Sequence, residues 1–420
     1  MEILSTGEKI KRSRVYKGIT LKDLCGDKIS ISKMSCIENG KVKADKDIIK
    51  YISNKIGVDF EYLLQDVYEQ IVINLAELKK CKNRNDEFEN NIKHNLEYAM
   101  EYKYYDLAFE LIHLLFSYYL NENKYEKIQM IISEYYDLYQ RTNNKENTII
   151  YFRDMAKYLF ENNEYTEAIA YYSRLRELIS ENNFNDRALY SYLSYNEGVC
   201  YLRLGKNEIA HKLFLDGVKY SEGISDRNVK GKIYQYYALS CIKLKNNEAE
   251  EYISKAYELQ RDDNIKLAIS KCEYGESYFD AGNYSKAVEE ILEGIDKFPQ
   301  DNKQKYVRFL NKNIEVLYRN KKYNEAYELT DKALNLSIST DDVKLIERVY
   351  YYKGSILQKQ KRYLEAEMYM NLSLDLLMKF GRKEERYNRY LEMGNMYYNL
   401  GELKESAKYF SLAMRINREI

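Results

Sequence analysis

The strongest constraint on this chain is a recurrence in its later part. The segments GNYSKAVEEILEGI from Gly282, KKYNEAYELTDKAL from Lys321, KRYLEAEMYMNLSL from Lys361 and GELKESAKYFSLAM from Gly401 share one pattern. Looser copies start at Asn163 (NEYTEAIAYYSRL) and Gly205 (GKNEIAHKLFLDGV). The step is roughly 40 residues, and Tyr125, Tyr165, Tyr284, Tyr323 and Tyr363 hold one slot, with Asn207 and Leu403 in the same place. A unit this short cannot bury its own apolar face, so neighbouring copies must stack. The chain has a single proline in 420 residues, which points to helix throughout.

A ladder of small residues says how the helices of each copy meet. Gly198, Gly275 and Gly354 are followed twelve residues later by Ala210, Ala287 and Ala366, and Gly394 by Ser406. Seven further on come Gly217, Gly294, Ser373 and Ala413. Tyr201, Tyr278 and Tyr397 lie three after the first small residue. This ladder resembles the tetratricopeptide repeat, in which small residues let two antiparallel helices approach closely. Pro299 stands where that repeat places its helix-ending proline. About eight helix pairs are expected, the first near Asp106 to Arg141.

The N-terminal part reads differently. Ser5 caps a helix over Gly7 to Lys17, with Ile10 and Val15 facing inward and Lys9, Arg12 and Arg14 available to phosphates. Thr20 caps a short helix carrying Leu21, Leu24 and Cys25, and Gly26 to Lys28 make a turn. Ser30 caps a second helix with Ile31, Met34 and Ile37 at helical spacing, closed by Asn39-Gly40. Asp45 opens a fourth helix with Ile48, Ile49, Ile52 and Ile56. Asp59 caps a fifth through Phe60, Leu63 and Leu64. A helical pattern then runs from Val67 to about Asn83.

Ser30-x-Ser32-x-x-Ser35-x-Ile37-Glu38-Asn39-Gly40-Lys41 resembles the recognition helix of the Cro and phage-repressor-like helix-turn-helix family. That resemblance implies that Ile31, Ser32, Lys33 and Cys36, with Ser35 beside them, face the major groove, and that Lys41 and Lys43 reach phosphates. Leu21 stands where that family carries a glutamine that braces the DNA backbone. Charge agrees with a basic head: residues 1–58 hold 13 Lys and Arg against 7 Asp and Glu, a net of +6, and the rest carries −6 to give a formal total of zero.

The expected fold is therefore all-α: a five-helix helix-turn-helix domain over 1–66, a linker helix region over 67–100, and a right-handed tetratricopeptide-like superhelix over 101–420. The six cysteines, at 25, 36, 81, 200, 241 and 272, form no C-x-x-C pair, and there are three histidines, so neither metal site nor disulfide framework is expected. No cofactor is implied. The Walker A, dinucleotide-binding, H-E-x-x-H and G-x-S-x-G signatures are missing, so an enzyme is not expected. No apolar run is long enough to span a membrane, which points to a cytoplasmic protein.

Head and repeats in this order resemble the RRNPP group of Gram-positive quorum-sensing regulators, over the whole chain. The resemblance implies a homodimer on double-stranded DNA, gated by a short imported signalling peptide bound to the repeats and controlling a programme such as sporulation or virulence. Read from the residues alone, an extended peptide needs polar side chains for its backbone amides. Arg308, Asn311, Glu315, Tyr318, Tyr351, Ser355, Gln358, Asn395 and Tyr398 supply them on the first helices of successive pairs. The other reading is an interaction protein whose repeats sequester another regulatory protein, a response regulator or kinase, with DNA binding secondary.

Overall fold

The computed structural model describes residues 3–82, 84–142, 144–181 and 186–417, and among them every regular element is helical. Two compact units divide the chain, Met1–Glu181 and Asn182–Ile420.

The first unit opens with five short helices: α1 (Thr6–Tyr16), α2 (Leu21–Cys25), α3 (Ile31–Glu38), α4 (Lys46–Ile56) and α5 (Phe60–Leu64). Helices this short need their ends fixed, because the first turn leaves four N–H groups unpaired. Each start has a side-chain cap: Ser5, Thr20, Ser30, Asp45 and Asp59 accept from Glu8, Asp23, Lys33, Ile48 and Tyr62 backbone N–H groups. Gly57 closes α4 in the left-handed region (φ 60°). Ile10, Leu24, Cys25, Met34, Ile37, Ile49, Ile52, Ile56 and Leu63 form one core.

Two expectations for α1 are corrected. Val15 is 62% exposed and does not join the core. Gly7, Ile10 and the half-buried Arg14 repeat at three- and four-residue steps and set the packed face, which leaves Val15 about a quarter-turn away. Lys9 and Arg14 are also not free for phosphates. Lys9 is buried, and its Nζ donates to the Tyr62 (2.7 Å) and Gln65 (2.9 Å) carbonyls, where a helix end attracts a cation. Burial lowers the Lys9 pKa, while Glu69 and Asp66 pull it back up.

Helix α6 (Val67–Lys80) follows, shorter than the sequence pattern suggests; residue 83 lies outside the described residues. Its Gln70 side chain clasps the chain start: Leu4 N donates to Gln70 Oε1 (3.2 Å), and Gln70 Nε2 donates to the Leu4 carbonyl (2.8 Å). This fastens α6 to the start of the chain, while Lys9 ties α1 to the end of α5. The unit continues through α7 (Asp86–Glu101), α8 (Tyr105–Asn121), α9 (Tyr125–Thr142), α10 (Lys145–Glu161) and α11 (Tyr165–Glu181).

The second unit holds α12 (Arg187–Arg203), α13 (Asn207–Lys219), α14 (Arg227–Leu244), α15 (Ala249–Gln260), α16 (Asn264–Asp280) and α17 (Tyr284–Lys297). After Pro299 come α18 (Lys303–Arg319), α19 (Tyr323–Ser337), α20 (Val343–Lys359), α21 (Tyr363–Phe380), α22 (Lys383–Leu400) and α23 (Leu403–Asn417). Helices α8 to α23 pack as eight consecutive antiparallel pairs, two in the first unit and six in the second. This is the tetratricopeptide-like repeat.

Four of the pairs are set by contact between a glycine and the residue sixteen positions on. A Cβ at Gly198 would lie 2.6 Å from Phe214, at Gly275 2.5 Å from Ile291, at Gly354 2.8 Å from Met370, and at Gly394 2.8 Å from Phe410. Tyrosine does what tryptophan does elsewhere, and its hydroxyl seeks an acid on a neighbouring helix. Tyr119 donates to Glu89 (2.9 Å), Tyr257 to Glu290 (2.6 Å), Tyr278 to Glu250 (2.8 Å) and Tyr397 to Glu367 (2.9 Å).

Two predictions follow from this packing. A Cβ at Gly275 would also sit 2.7 Å from the Ala287 carbonyl, which cannot turn away. Gly275→Ala should therefore lower stability by about 1–3 kcal/mol, seen as an earlier urea midpoint. An unmoved midpoint would mean the helices stand further apart. The second concerns Glu89, which is buried. Burial opposes its charge, but hydrogen bonds from Lys127, Lys93 and Tyr119 win and bring its pKa down to about 2. Its contribution to stability is complete above the ordinary carboxylate range and is lost as pH falls from there toward 2. Glu89→Gln should flatten that part of the acid-unfolding curve.

Candidate functional sites

In the first unit, Met34, Ile37 and Glu38 turn α3 into the core, and the opposite side is left to solvent. Ile31, Ser32 and Lys33 are exposed, and Ser35 and Cys36 are half-buried beside them. After Gly40, in the left-handed region (φ 70°), Lys41 N donates to the Cys36 carbonyl (2.8 Å), and Lys41 and Lys43 are exposed. All seven sequence-predicted DNA contacts thus occupy α3 and the segment leaving it, and all reach solvent.

Arg14 braces this helix. Its Nε and Nη2 donate to the two Glu38 carboxylate oxygens (2.6 and 2.9 Å), and Nη1 donates to the Ile19 carbonyl (3.0 Å). The fork-shaped pair ties α1 to the end of α3 and neutralises the one acid on that helix. Lys17 Nζ likewise ends on the Ile56 and Gly57 carbonyls (2.5 and 3.1 Å). The exposed charge on α3 and the segment leaving it is consequently Lys33, Lys41 and Lys43, while the preceding segment exposes Lys22 and Lys28 alongside Asp23 and Asp27.

In the second unit, first helices α18, α20 and α22 stand in sequence, and their facing side chains are linked. Arg308 pairs with Asp342 before α20 (3.3 Å). Glu315 bridges Arg319 on its own helix and Arg348 on α20 (2.5 Å to Arg348). Burial opposes the Glu315 charge, but Tyr352 and the two arginines outweigh it and lower its pKa. The Tyr318 ring lies tilted against Tyr352 (5.8 Å between centroids, planes at 59°). Tyr351 donates to Glu392 on α22 (2.9 Å), and the Arg389 guanidinium sits 4.0 Å over the Tyr351 ring. Burial pushes the Glu392 carboxyl up, with Arg389 pulling it down.

Asn311 is the exception in this linked row. It is 3% exposed, and neither its amide oxygen nor its amide nitrogen finds a hydrogen-bond partner among the described residues. The Tyr274 and Tyr306 hydroxyls and Glu392 Oε2 are also buried without one. A donor and an acceptor on one buried side chain match what one residue of an extended peptide presents.

Of the nine sequence-predicted groove residues, Arg308, Glu315, Tyr318 and Tyr351 join the linked row. Ser355 is buried, its Oγ 4.0 Å from Met370 Sδ. Gln358, Asn395 and Tyr398 lie on α20 and α22, and no side-chain hydrogen bond or ring contact among the described residues ties them to the others. Sequence reading missed Arg348, Tyr352, Arg389 and Glu392. The available signal was charge complementarity between successive first helices: Glu315 with Arg348, and Glu347 with Arg389 (2.9 Å).

No family model matches the chain. It is 23% identical over 336 residues to the TPR repeat-containing protein MJ1428 of Methanocaldococcus jannaschii, covering 70% of this chain and 54% of that relative's length. Among solved structures, the apo quorum sensor NprR from B. thuringiensis is 17% identical, with TM-score 0.43 over 84% of this chain and 99% of the other. The apo form of RapI is 14% identical, with TM-score 0.48 over 83% and 98%. PlcR of Bacillus thuringiensis, in complex with the peptide PapR7 and DNA, is 14% identical, with TM-score 0.28 over 89% and 94%.

The unpartnered amide gives a prediction that needs no ligand. Leaving a buried polar group unpaired costs about 1–3 kcal/mol, and an apolar side chain of similar volume removes that cost. Asn311→Leu should therefore match or exceed wild type in thermal midpoint. A clear loss of stability would mean that the amide is satisfied within the folded chain.

Proposed function

We propose that the chain is a DNA-binding transcriptional regulator, gated by a short imported signalling peptide lying along α18, α20 and α22. On this reading it works as a homodimer and serves a cell-density or developmental programme such as sporulation or virulence. The observation that carries it is Asn311: an amide kept buried and unpartnered in a row where Arg308, Glu315, Tyr351 and Arg389 have partners. A site with that cost in the empty protein gains when a peptide backbone fills it. The surrounding Tyr318, Tyr351 and Tyr352 offer flat area for side chains between the backbone contacts.

At the other end, α3 presents its polar side with Lys33, Lys41 and Lys43 around it, and its only acid is folded back onto Arg14. Ser32, Ser35 and Cys36 are weak base readers, so phosphate contacts and DNA shape carry much of the recognition. One such head is a small contact. Two heads on half-sites about one helical turn apart give a useful affinity. The Gln70 clasp ties α6 to the residues leading into α1, and Arg14 ties α1 to α3, which is a route by which a shift of α6 reaches α3.

The second reading, a repeat protein that sequesters another regulator, is favoured by one observation. Leu21 packs against the head core and offers no polar brace to a DNA backbone. Salt-dependent DNA binding by the full chain separates the two. Lys41→Ala with Lys43→Ala should weaken binding to all duplexes alike and lower the slope of log affinity against log salt by about two. If the wild-type chain shows no salt-dependent binding to any duplex, the regulator reading ends and the partner reading stands.

A further inference from the structure

Charge changes sign from one first helix of the second unit to the next. Four positions of each first helix share one face: six and two before the slot held by Gly275, Gly354 and Gly394, and one and five after it. In α16 they are Ile269, Glu273, Glu276 and Asp280. In α18, counted from Ile314 in the same slot, they are Arg308, Lys312, Glu315 and Arg319. In α20 they are Arg348, Tyr352, Ser355 and Lys359, and in α22 Asn388, Glu392, Asn395 and Asn399. Acids therefore hold α16, while α18 and α20 carry bases around the single acid Glu315. The two zones adjoin. Burial raises the Glu273 pKa, and Lys312 on α18 pulls it down, as does Arg203 on α12.

Glu315 does not cancel the bases above it. Its side chain is 18% exposed and lies beneath the guanidiniums of Arg319 and Arg348, which are 68% and 52% exposed. A guanidinium has five N–H donors, and Glu315 takes only Nη2 of each arginine. One shared acid thus fixes two cations and leaves most of their donors facing outward. The Tyr352 ring, 5.9 Å away, steadies the Arg348 guanidinium. Lys312 stands three residues before Glu315 on the same face. It is exposed, and its side chain is in no hydrogen bond or ion pair among the described residues. Arg308, by contrast, is spent on Asp342.

We infer that Lys312, Arg319 and Arg348 hold a carboxylate of the signalling peptide. A carboxylate accepts two parallel bonds from a guanidinium fork, and an ammonium beside it adds a third. Asn311 lies one turn before Glu315, about 6 Å along the helix. Extended peptide advances about 3.3 Å per residue, so the carboxylate sits within about two residues of the backbone that Asn311 takes. The same carboxylate placed on α16 meets Glu273, Glu276 and Asp280, and on α22 it meets Glu392. Those acids set its register. The group is the peptide's C-terminus or an Asp or Glu side chain, which share this chemistry. This inference rests on the peptide reading given under Proposed function, and names the chemistry of what binds there.

Affinity selection by the full chain at low salt, from a synthetic random hexapeptide library with free termini, tests it. Each peptide that wild type retains is resynthesised in two neutralised forms. One carries a C-terminal amide, and the other has Asn and Gln in place of Asp and Glu. One of the two forms should bind about ten-fold or more weakly by calorimetry, and which one does so identifies the source of the carboxylate. Lys312→Gln and Arg348→Gln should each weaken the parent peptide yet leave the affinity of its neutralised form unchanged. Lys312→Gln breaks no contact within the chain, so its result stands even if Arg348→Gln fails to fold. Neutralised forms that both bind as tightly as the parent, or variants that bind the parent as wild type does, would overturn the inference and leave the peptide reading standing. A library from which wild type retains nothing would overturn both.

Discussion

Close approach between the two helices of each pair is the constraint from which the rest of the repeat structure follows. Gly198, Gly275, Gly354 and Gly394 each leave room for one specific side chain sixteen residues on, which a Cβ at the glycine would crowd. Helices drawn this near bury one side of each and leave the other for the next pair. The first helices thereby come to stand side by side, and a position repeated in each becomes a row. Tyrosine hydroxyls donating to acids of neighbouring helices, such as Tyr278 to Glu250 and Tyr397 to Glu367, help hold the stack in register. An aromatic body with a polar tip can sit in the seam between helices and still be satisfied.

That row is where the energetics turn unusual. Several charged groups along α18, α20 and α22, Arg308, Glu315, Arg348 and Arg389 among them, have a partner within the row and are held in place. Glu315 lies between two arginines, and Arg389 is stacked on Tyr351. Fixed charges in a partly dry site act more strongly than the same charges in water. Asn311 alone keeps both halves of its amide buried and unpaired. Folded proteins seldom tolerate such a group unless something else fills the need.

How much of this was legible in the sequence depended on whether a residue acts locally. Caps are local: Ser5, Thr20, Ser30, Asp45 and Asp59 announced the starts of five helices, and the structure keeps each one. The glycine ladder is a fixed-period signal, and it gave the helix pairs and their packing. Lys9 and Arg14 were misread because a basic residue on a short helix looks like surface until the helix phase is known. Val15 was misread for the same reason, as its apolar side chain sits off the packed face. Arg348, Arg389 and Glu392 escaped notice because their partners lie one repeat away, where no local pattern reaches. The burial of Asn311 comes from tertiary packing and has no sequence signature. The clasp between Gln70 and Leu4, 66 residues apart, is of the same kind.

The central claim is that occupancy of the row on α18, α20 and α22 changes how the head holds DNA. Coupling of this sort is reciprocal, and couplings of about 1–3 kcal/mol correspond to roughly 5–150-fold changes in affinity. Fluorescence anisotropy of a labelled operator duplex, titrated with the full chain with and without a binder selected from a short-peptide library, measures it directly. The account predicts that the peptide shifts DNA affinity by at least about five-fold in the wild-type chain, and that Asn311→Leu binds DNA normally and shows no shift. A peptide that binds the second unit tightly yet leaves DNA affinity unchanged would contradict it.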